Sequence, residues 1–356
     1  MRGWCQAGRS TVVGLLLFLL FMFWMGHRGG LPAAIAAEPQ PLRVGIIGLD
    51  TSHAVAFTRL FNKPDADDHV PGARVVAAYP QGSRDIASSV SRVPGYTENL
   101  RELGVEIVPS IADLLSRVDA VMLESNDGRV HLEQAKPVLA AHKPLFIDKP
   151  MAASLADSIA IFALARHHGT PVFSSSSLRY GVATQAVRGG AIGGILGCDI
   201  YSSDAVEPSH PDFFWYGIHG CEALFTVMGT GCESVSRTGA ADSDLVVGTW
   251  KDGRIGTFRA LRAGKQGYGG TAFGADQIRA VGDSPGYRPL VVEIVRFFQT
   301  GTPPVDADET LEIFAFMEAG GESRRRNGGS VTLAEIRARA EERAKATVAA
   351  HLSFEK

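Results

Sequence analysis

The chain has 356 residues, 45% hydrophobic and 21% charged, with a formal net charge of -3. That length suits two domains or one large one, and the composition suits a packed globular core. The slight negative charge excludes the basic excess of a nucleic-acid-binding surface, and Arg324-Arg325-Arg326, followed by Asn327-Gly328-Gly329, reads as a solvated helix end rather than an interaction tail.

Residues 1–37 differ from the rest. Arg2 and Arg9 precede an almost wholly apolar run, 11–25, and Ala33-Ala34-Ile35-Ala36-Ala37 follows. A positive start, an apolar middle and an A-x-A site make a secretory signal peptide. The chain is therefore expected to be exported, to a bacterial periplasm or the extracellular space. The run falls short of the ~20 residues of a membrane span, so an uncleaved anchor is the alternative; no Arg-Arg pair indicates twin-arginine export. Of four cysteines, Cys5 leaves with the leader. Cys198, Cys221 and Cys232 read as small buried hydrophobes, with a Cys221–Cys232 pair as the alternative.

Downstream of residue 42, short apolar runs alternate with helical stretches. Strands are predicted at 43–47, 74–79, 106–108, 120–124, 145–147 and 171–174. Helices are predicted at 54–62, 111–117, 130–142 (broken or bent at Pro137) and 154–168. The last opens on a capping box, Ser154 with Asp157, carries Leu155, Ile159, Phe162 and Ala163 on one face, and stops at Gly169. This rhythm implies βαβ units and a parallel sheet, with any ligand at the carboxyl ends of its strands. Beyond about residue 176 the pattern changes. Strands are expected at 199–203, 245–250 and 255–260, the last two joined by an Asp252-Gly253 hairpin turn. Helices are expected at 219–228, 289–299, 310–318 and 332–350, the last with Thr332 and Glu335 as a capping box; 264–274 reads as a glycine-rich loop. The expected architecture is an α/β Rossmann-like parallel-sheet domain over 42–176, then an α+β domain with a mainly antiparallel sheet over 177–352.

The first strand leads into Gly48-Leu49-Asp50-Thr51-Ser52-His53. A dinucleotide fold wants glycine at three places here, for the tight turn, for backbone approach to pyrophosphate and for helix packing. Gly48 meets the first; Asp50 and His53 stand at the others. Asp50 or Thr51 starts the helix as its cap, or the two take part in cofactor binding. The second strand ends without the acid that binds ribose hydroxyls, and Ser83 and Arg84 follow, a pair suited to a 2′-phosphate. NADP is thus favoured over NAD if either binds.

The stretch 120–150 resembles the Gfo/Idh/MocA (glucose–fructose oxidoreductase / inositol dehydrogenase) family, with Ser125-Asn126 as the turn, His131 opening a helix and Asp148-Lys149-Pro150 standing for Glu-Lys-Pro. Ser177-Leu178-Arg179-Tyr180 is similar to the family's Arg-aromatic step. Gly217-Ile218-His219-Gly220-Cys221-Glu222 is similar to its Gly-x-His-x-x-Asp. The resemblance implies hydride transfer between the hydroxyl of a sugar- or polyol-like substrate and NADP or NAD. It makes Lys149 the cation that polarises the substrate oxygen and His219 the general acid/base, whose ordinary pKa near ~6.5 suits neutral pH. The family's acid four residues before this His is Trp215 here. Tyr216 is the first substitute, Asp212 and Glu222 the others. The cofactor-binding set is then Gly48, Asp50, Thr51, Ser83, Arg84, Ser125, Asn126, His131 and Asp148, with Arg179 and Glu222 toward substrate. No metal is expected, since the spacing of His210, Asp212, His219 and Glu222 matches no common zinc site. Phe213-Phe214-Trp215-Tyr216 is either a sugar-stacking wall or an interface core. A homo-oligomer is expected by analogy. The altered positions Asp50, His53 and Trp215 leave open a non-redox ligand-binding protein, or an enzyme that cleaves sugars through transient oxidation.

Overall fold

The computed structural model describes residues 40–354, so the stretch 1–37 expected to be a leader lies outside the described residues. Six strands form the first sheet: β1 (Leu42–Ile47), β2 (Ala73–Tyr79), β3 (Glu106–Ile107), β4 (Ala120–Leu123), β5 (Leu145–Asp148) and β6 (Val172–Ser175). Their order is β3-β2-β1-β4-β5-β6 and every pairing is parallel. This is the doubly wound order, in which the chain reverses direction beside β1 and opens a crevice at the strand ends.

The connecting helices are α1 (Ser52–Asn62), α2 (Ala87–Glu102), α3 (Ile111–Leu115), α4 (His131–Ala140) and α5 (Leu155–His168). α5 has the expected ends: Ser154 Oγ accepts from the Asp157 N–H, and Gly169 closes it in the left-handed region at φ 63°. α4 runs through Pro137 without a break. The carbonyl that Pro137 leaves without an N–H belongs to the exposed Glu133, where water can take it. α2 had no counterpart among the predicted helices. It contains Pro94 and buries only Ser89, Thr97 and Leu100, so it carries no apolar stripe to read.

The second sheet has seven strands: β7 (Ile195–Ser203), β8 (Cys232–Gly239), β9 (Ser243–Trp250), β10 (Ile255–Leu261), β11 (Tyr268–Gly274), β12 (Ile278–Val281) and β13 (Val331–Thr332). Its order is β12-β11-β7-β10-β9-β8-β13, antiparallel except where β10 runs parallel to β7. The stretch read as a loop at 264–274 is therefore mostly strand β11. Its glycines are packing positions: a side chain at Gly269 would collide with the Tyr201 ring. The helices of this half are α6 (Val182–Arg188), α7 (Ile218–Met228), α8 (Arg288–Thr300), α9 (Ala307–Arg325) and α10 (Leu333–Phe354). Arg325 and Arg326 at the end of α9 pair with Glu322 and Glu335, as a solvated helix end should. No helix of the described residues is long and apolar enough to cross a membrane.

Two cores fix this arrangement. One joins one face of the parallel sheet (Ile47, Val121, Leu123, Ile147) to α4 and α5 and continues through α7 and α9 into the second sheet. The other covers the opposite face, where Val44, Ile46, Met122, Phe146 and Phe173 meet Phe57 and Phe61 of α1. Its second cover is α8, which brings Leu290, Val291, Ile294, Phe297 and Phe298 from far along the chain. Each such fully buried side chain contributes roughly 1.5–3 kcal/mol. Cys198, Cys221 and Cys232 are free and buried, as the composition suggested.

Candidate functional site

The first strand delivers Gly48, at φ +93°, to the crossover point. A Cβ there would fall within van der Waals contact of the Ser125 backbone and hydroxyl, so only glycine lets the loops after β1 and β4 touch. Thr51 caps α1, its Oγ1 accepting from the His53 N–H at 3.3 Å. Asp50 is not the cap. Its buried carboxylate accepts from the Asn126 N–H (2.9 Å) and the Ser89 hydroxyl (2.7 Å), tying the β4 loop to α2. Burial raises the Asp50 carboxyl above its ordinary value, opposed by the Ser89 hydrogen bond.

A cavity of about 380 Å³ opens at the carboxyl ends of the strands. α1 contributes its first turn (Thr51, Ser52, His53), α2 contributes Arg92 and Tyr96, and the loops after β4 and β5 contribute Asn126 and Lys149. From the second half come Tyr216, His219, Tyr268 and Tyr287. The three predicted catalytic residues therefore converge. Lys149 Nζ lies 5.4 Å from the centre of the Tyr216 ring, which is 5.7 Å from the His219 ring. Tyr216 is pushed to the lip by a tight turn in which Gly217 has its Cα against Phe213: a Cβ there would come within 2.7 Å of the Phe213 Cα. Phe213 and Phe214 themselves are core, packed edge-on against Phe258 and Phe314. The aromatic run is thus an interior with one exposed member rather than a stacking wall. A larger groove of about 1030 Å³, around Arg166, Arg188 and Arg254, contains none of the strand-end residues.

His219 sits in the first turn of α7. Its Nδ1 is 2.7 Å from Ser176 Oγ, and that hydroxyl accepts from the Leu178 N–H at 3.2 Å. Nδ1 and the Ser176 hydroxyl thus share one hydrogen bond, which fixes the orientation of the ring and turns Nε2 away from Ser176. Burial, reinforced by the Lys149 cation, holds the imidazole well below its ordinary pKa. The expectation of a freely titrating acid/base near neutrality is corrected: burial favours the neutral imidazole of His219.

Other predicted residues are placed differently. Arg179 is buried, its Nε on Glu222 (2.8 Å) and its Nη1 on Glu309 (2.7 Å), while Glu222 also accepts from the Ser175 hydroxyl and the Ser176 N–H. Neither Arg179 nor Glu222 lines the cavity. They are a buried ionic strut, and the substrate-contact reading is corrected. His131 is fully buried between the β4 and β5 loops, its Nε2 2.6 Å from the Ser125 carbonyl oxygen and its Nδ1 3.1 Å from that of Met151, so its one N–H donates to one of the two. The hydroxyl of Ser83 donates to Asp127 at 2.5 Å, so it is not free for a 2′-phosphate, and Arg84 alone is exposed there. Asp127 also takes Arg129, and His210 Nε2 lies 3.1 Å from it. Asp212 pairs with Arg237. The four residues weighed as a zinc set are thus each engaged elsewhere: His210 with Asp127, Asp212 with Arg237, His219 with Ser176, and Glu222 with Arg179, Ser175 and Ser176.

Asp148 does not reach the cavity. Its Oδ2 meets His53 Nδ1 at 2.8 Å. Burial opposes its charge, but the His53 contact outweighs this and brings the carboxyl down to about 2. Behind it lies Glu124, fully buried, which sequence reasoning did not single out. Burial, with Asp148 adding to it, raises the Glu124 carboxyl well above the ordinary range. His53, Arg92, Tyr268 and Tyr287 were also missed. Only His53 left a signal, as the odd residue in the glycine pattern.

The features at the mouth of α1 suit a dinucleotide at three points. Gly48 makes the tight turn. The first turn of α1 carries N–H groups without intrahelical partners, which favour phosphate. Arg92 adds a cation beside them. Asp50 and His53 depart from the glycine pattern: the carboxylate of Asp50 is taken up by Asn126 and Ser89, and His53 meets Asp148.

Comparison with known proteins agrees with this picture. Residues 42–176 match the GFO_IDH_MocA family model, described as an oxidoreductase family with an NAD-binding Rossmann fold. No curated relative matches the chain by sequence. Among solved structures, a probable dehydrogenase from Thermotoga maritima superposes with a TM-score of 0.67 at 22% identity, covering 83% of this chain and 100% of that one. An oxidoreductase from Agrobacterium radiobacter, in complex with NAD+, L-tartaric acid and magnesium, gives 0.66 at 17% identity over 83% and 99%. A scyllo-inositol dehydrogenase from Lactobacillus casei, with NAD(H) and scyllo-inositol bound, gives 0.65 at 17% over 83% and 100%. These likenesses show that the fold extends beyond the matched domain to the second sheet.

Proposed function

We propose that the protein, whose residues 42–176 match the family model of NAD-binding Gfo/Idh/MocA oxidoreductases, is a nicotinamide-dependent oxidoreductase of small sugar- or polyol-like substrates. The observation that carries this reading is the convergence of Lys149, His219 and Tyr216 on one cavity at the strand ends. A bound nicotinamide supplies the hydride acceptor or donor. Lys149 and, in the tautomer whose Nδ1 accepts from Ser176, the Nε2–H of His219 both present positive charge to the reacting oxygen, which stabilises an alkoxide better than a neutral hydroxyl. In the oxidation direction the hydride leaves to the nicotinamide and the hydroxyl proton goes to the Tyr216 phenol oxygen as that phenol, the exposed member, releases its own proton to solvent. A cavity of about 380 Å³, walled by tyrosines and cations, is of the size and polarity that a single hydroxylated ring requires.

The test begins with the purified full chain, denatured, and mass spectrometry of any nucleotide released, with thermal shifts for NAD(H) and NADP(H) in parallel. Bound nucleotide or a saturable shift supports the reading; K149A and H219A are then assayed against a polyol panel. No nucleotide and no shift at millimolar cofactor reject it in favour of a non-redox ligand-binding protein. Asp50 favours that second reading, because its carboxylate already holds the Asn126 N–H.

Two further parts of the reading rest on less. Export rests on the residue pattern of 1–37, and N-terminal sequencing of the protein from its native compartment tests it. A homo-oligomer rests on the exposed apolar residues Leu196, Tyr201, Ile255 and Ile278 on the second sheet, and light scattering tests it.

A further inference from the structure

Glu124 follows the end of β4, Asp148 ends β5, and His53 begins the helix that follows β1. Three neighbouring strands of the sheet thus deliver one side chain each to the same point, and one ligand atom from each lies within 4.8 Å of the others. Glu124 and Asp148 are 0% and 1% exposed. Both oxygens of Glu124 and Oδ1 of Asp148 have no hydrogen-bond partner. Folded proteins rarely leave one buried carboxylate oxygen unpartnered, and here three share one spot.

We propose that His53, Glu124 and Asp148 form a binding site for one divalent transition-metal cation of the zinc or manganese class. One imidazole nitrogen with two carboxylates is a donor set for such ions, whereas calcium and magnesium favour oxygen alone. Ligand atoms about 2.0–2.2 Å from a central ion stand at most about 4.4 Å apart, so small side-chain movements close the site. Lys149 faces the pair of carboxylates and can offset one of their charges; the ion supplies the rest. His53 lines the cavity while the carboxylates lie behind it, so the ion arrives from the cavity and its open coordination position faces that way. The three ligands come from three different strand–helix junctions, so no spacing motif betrays them. The site stands independently of the hydride-transfer reading.

The full chain is dialysed against a chelator and titrated with Zn²⁺ and, separately, Mn²⁺. Bound ion is counted by mass spectrometry, and Mn²⁺ is followed by electron paramagnetic resonance. One ion per chain is expected, bound at least about tenfold more weakly by Glu124→Gln and Asp148→Asn. Asp148→Asn also disturbs the His53 contact; if that chain fails to fold, Glu124→Gln, which breaks no hydrogen bond, decides. As a surface control, H142A/H167A, which removes two exposed imidazoles, is run alongside and is expected to keep the ion. Three results overturn the proposal: no stoichiometric ion, equal binding by Glu124→Gln, or loss of the ion in H142A/H167A. An infrared band of a buried protonated carboxyl that persists at saturating ion and vanishes in Glu124→Gln also overturns it.

Discussion

Replacing Arg179 by methionine removes the guanidinium from between two buried carboxylates while keeping most of its volume. Glu222 retains the Ser175 hydroxyl and the Ser176 N–H, and Glu309 retains Arg188. Breaking a buried pair by removing one partner costs about 3–5 kcal/mol, because the remaining charge has lost its counter-ion. With an unfolding entropy of roughly 2.1 cal/mol/K per residue, a chain of this length loses about 1.5 °C per kcal/mol, which puts the drop in Tm at about 4–8 °C. The loss also depends on pH. Burial raises the Glu222 carboxyl despite Arg179, so the folded state binds more protons than the unfolded one just above the ordinary carboxylate range, and stability falls as pH rises there. Burial works against the Glu309 charge too, but Arg179 and Arg188 hold that carboxyl below its ordinary value. Its contribution is present above that value and is lost as pH falls. Without Arg179 both carboxyls move up, so the gap between wild type and R179M widens as pH rises from the ordinary carboxylate range toward and past neutrality. Thermal melts by circular dichroism across that range measure it. A Tm drop below about 2 °C, or one independent of pH, would refute the strut.

Three other outcomes follow from the geometry. His219→Ala lowers kcat by about 10²–10³-fold, the scale of losing one preorganised donor, and the wild-type pH–rate profile has no limb from His219 between about pH 6 and 8; a limb there that disappears in His219→Ala contradicts the neutral donor. Gly48→Ala forces a Cβ into the Ser125 loop at a left-handed φ; its dinucleotide-induced thermal shift is expected to vanish, and an undiminished shift speaks against the crevice as the cofactor site. Burial raises the thiols of Cys198, Cys221 and Cys232, the last to about 12; none should react with a thiol reagent until the chain is unfolded, and rapid native labelling would show the packing of these residues to be wrong.

The parallel sheet was legible because its strands are short apolar runs whose side chains are buried on both faces, a pattern that survives in one sequence. The cluster of Lys149, His219 and Tyr216 was legible from motif order. What sequence could not convey was burial. Arg179 and Glu222 are 43 positions apart, and nothing local distinguishes an internal ion pair from two substrate contacts. Ser83 reads as a phosphate ligand until Asp127 is seen to hold its hydroxyl. Glu124 looks like the last residue of a strand, and only the convergence of three strand ends gives it company. α2 was invisible for the opposite reason: it packs through polar and small side chains and so has no stripe to detect.

α8 has a bearing on how this chain comes to be folded. The face of the parallel sheet built by Val44, Ile46, Phe146 and Phe173 has its second cover in residues that follow all of the second sheet but its short last strand, β13. A ribosome that has finished the Rossmann segment has not yet made the helix that closes it. Until residues 288–300 emerge, that half carries an open apolar flank, and its strands have no reason to settle into a final register. The early segment is therefore expected to stay loose and chaperone-dependent when made alone, and the complete chain to acquire both halves in one cooperative step.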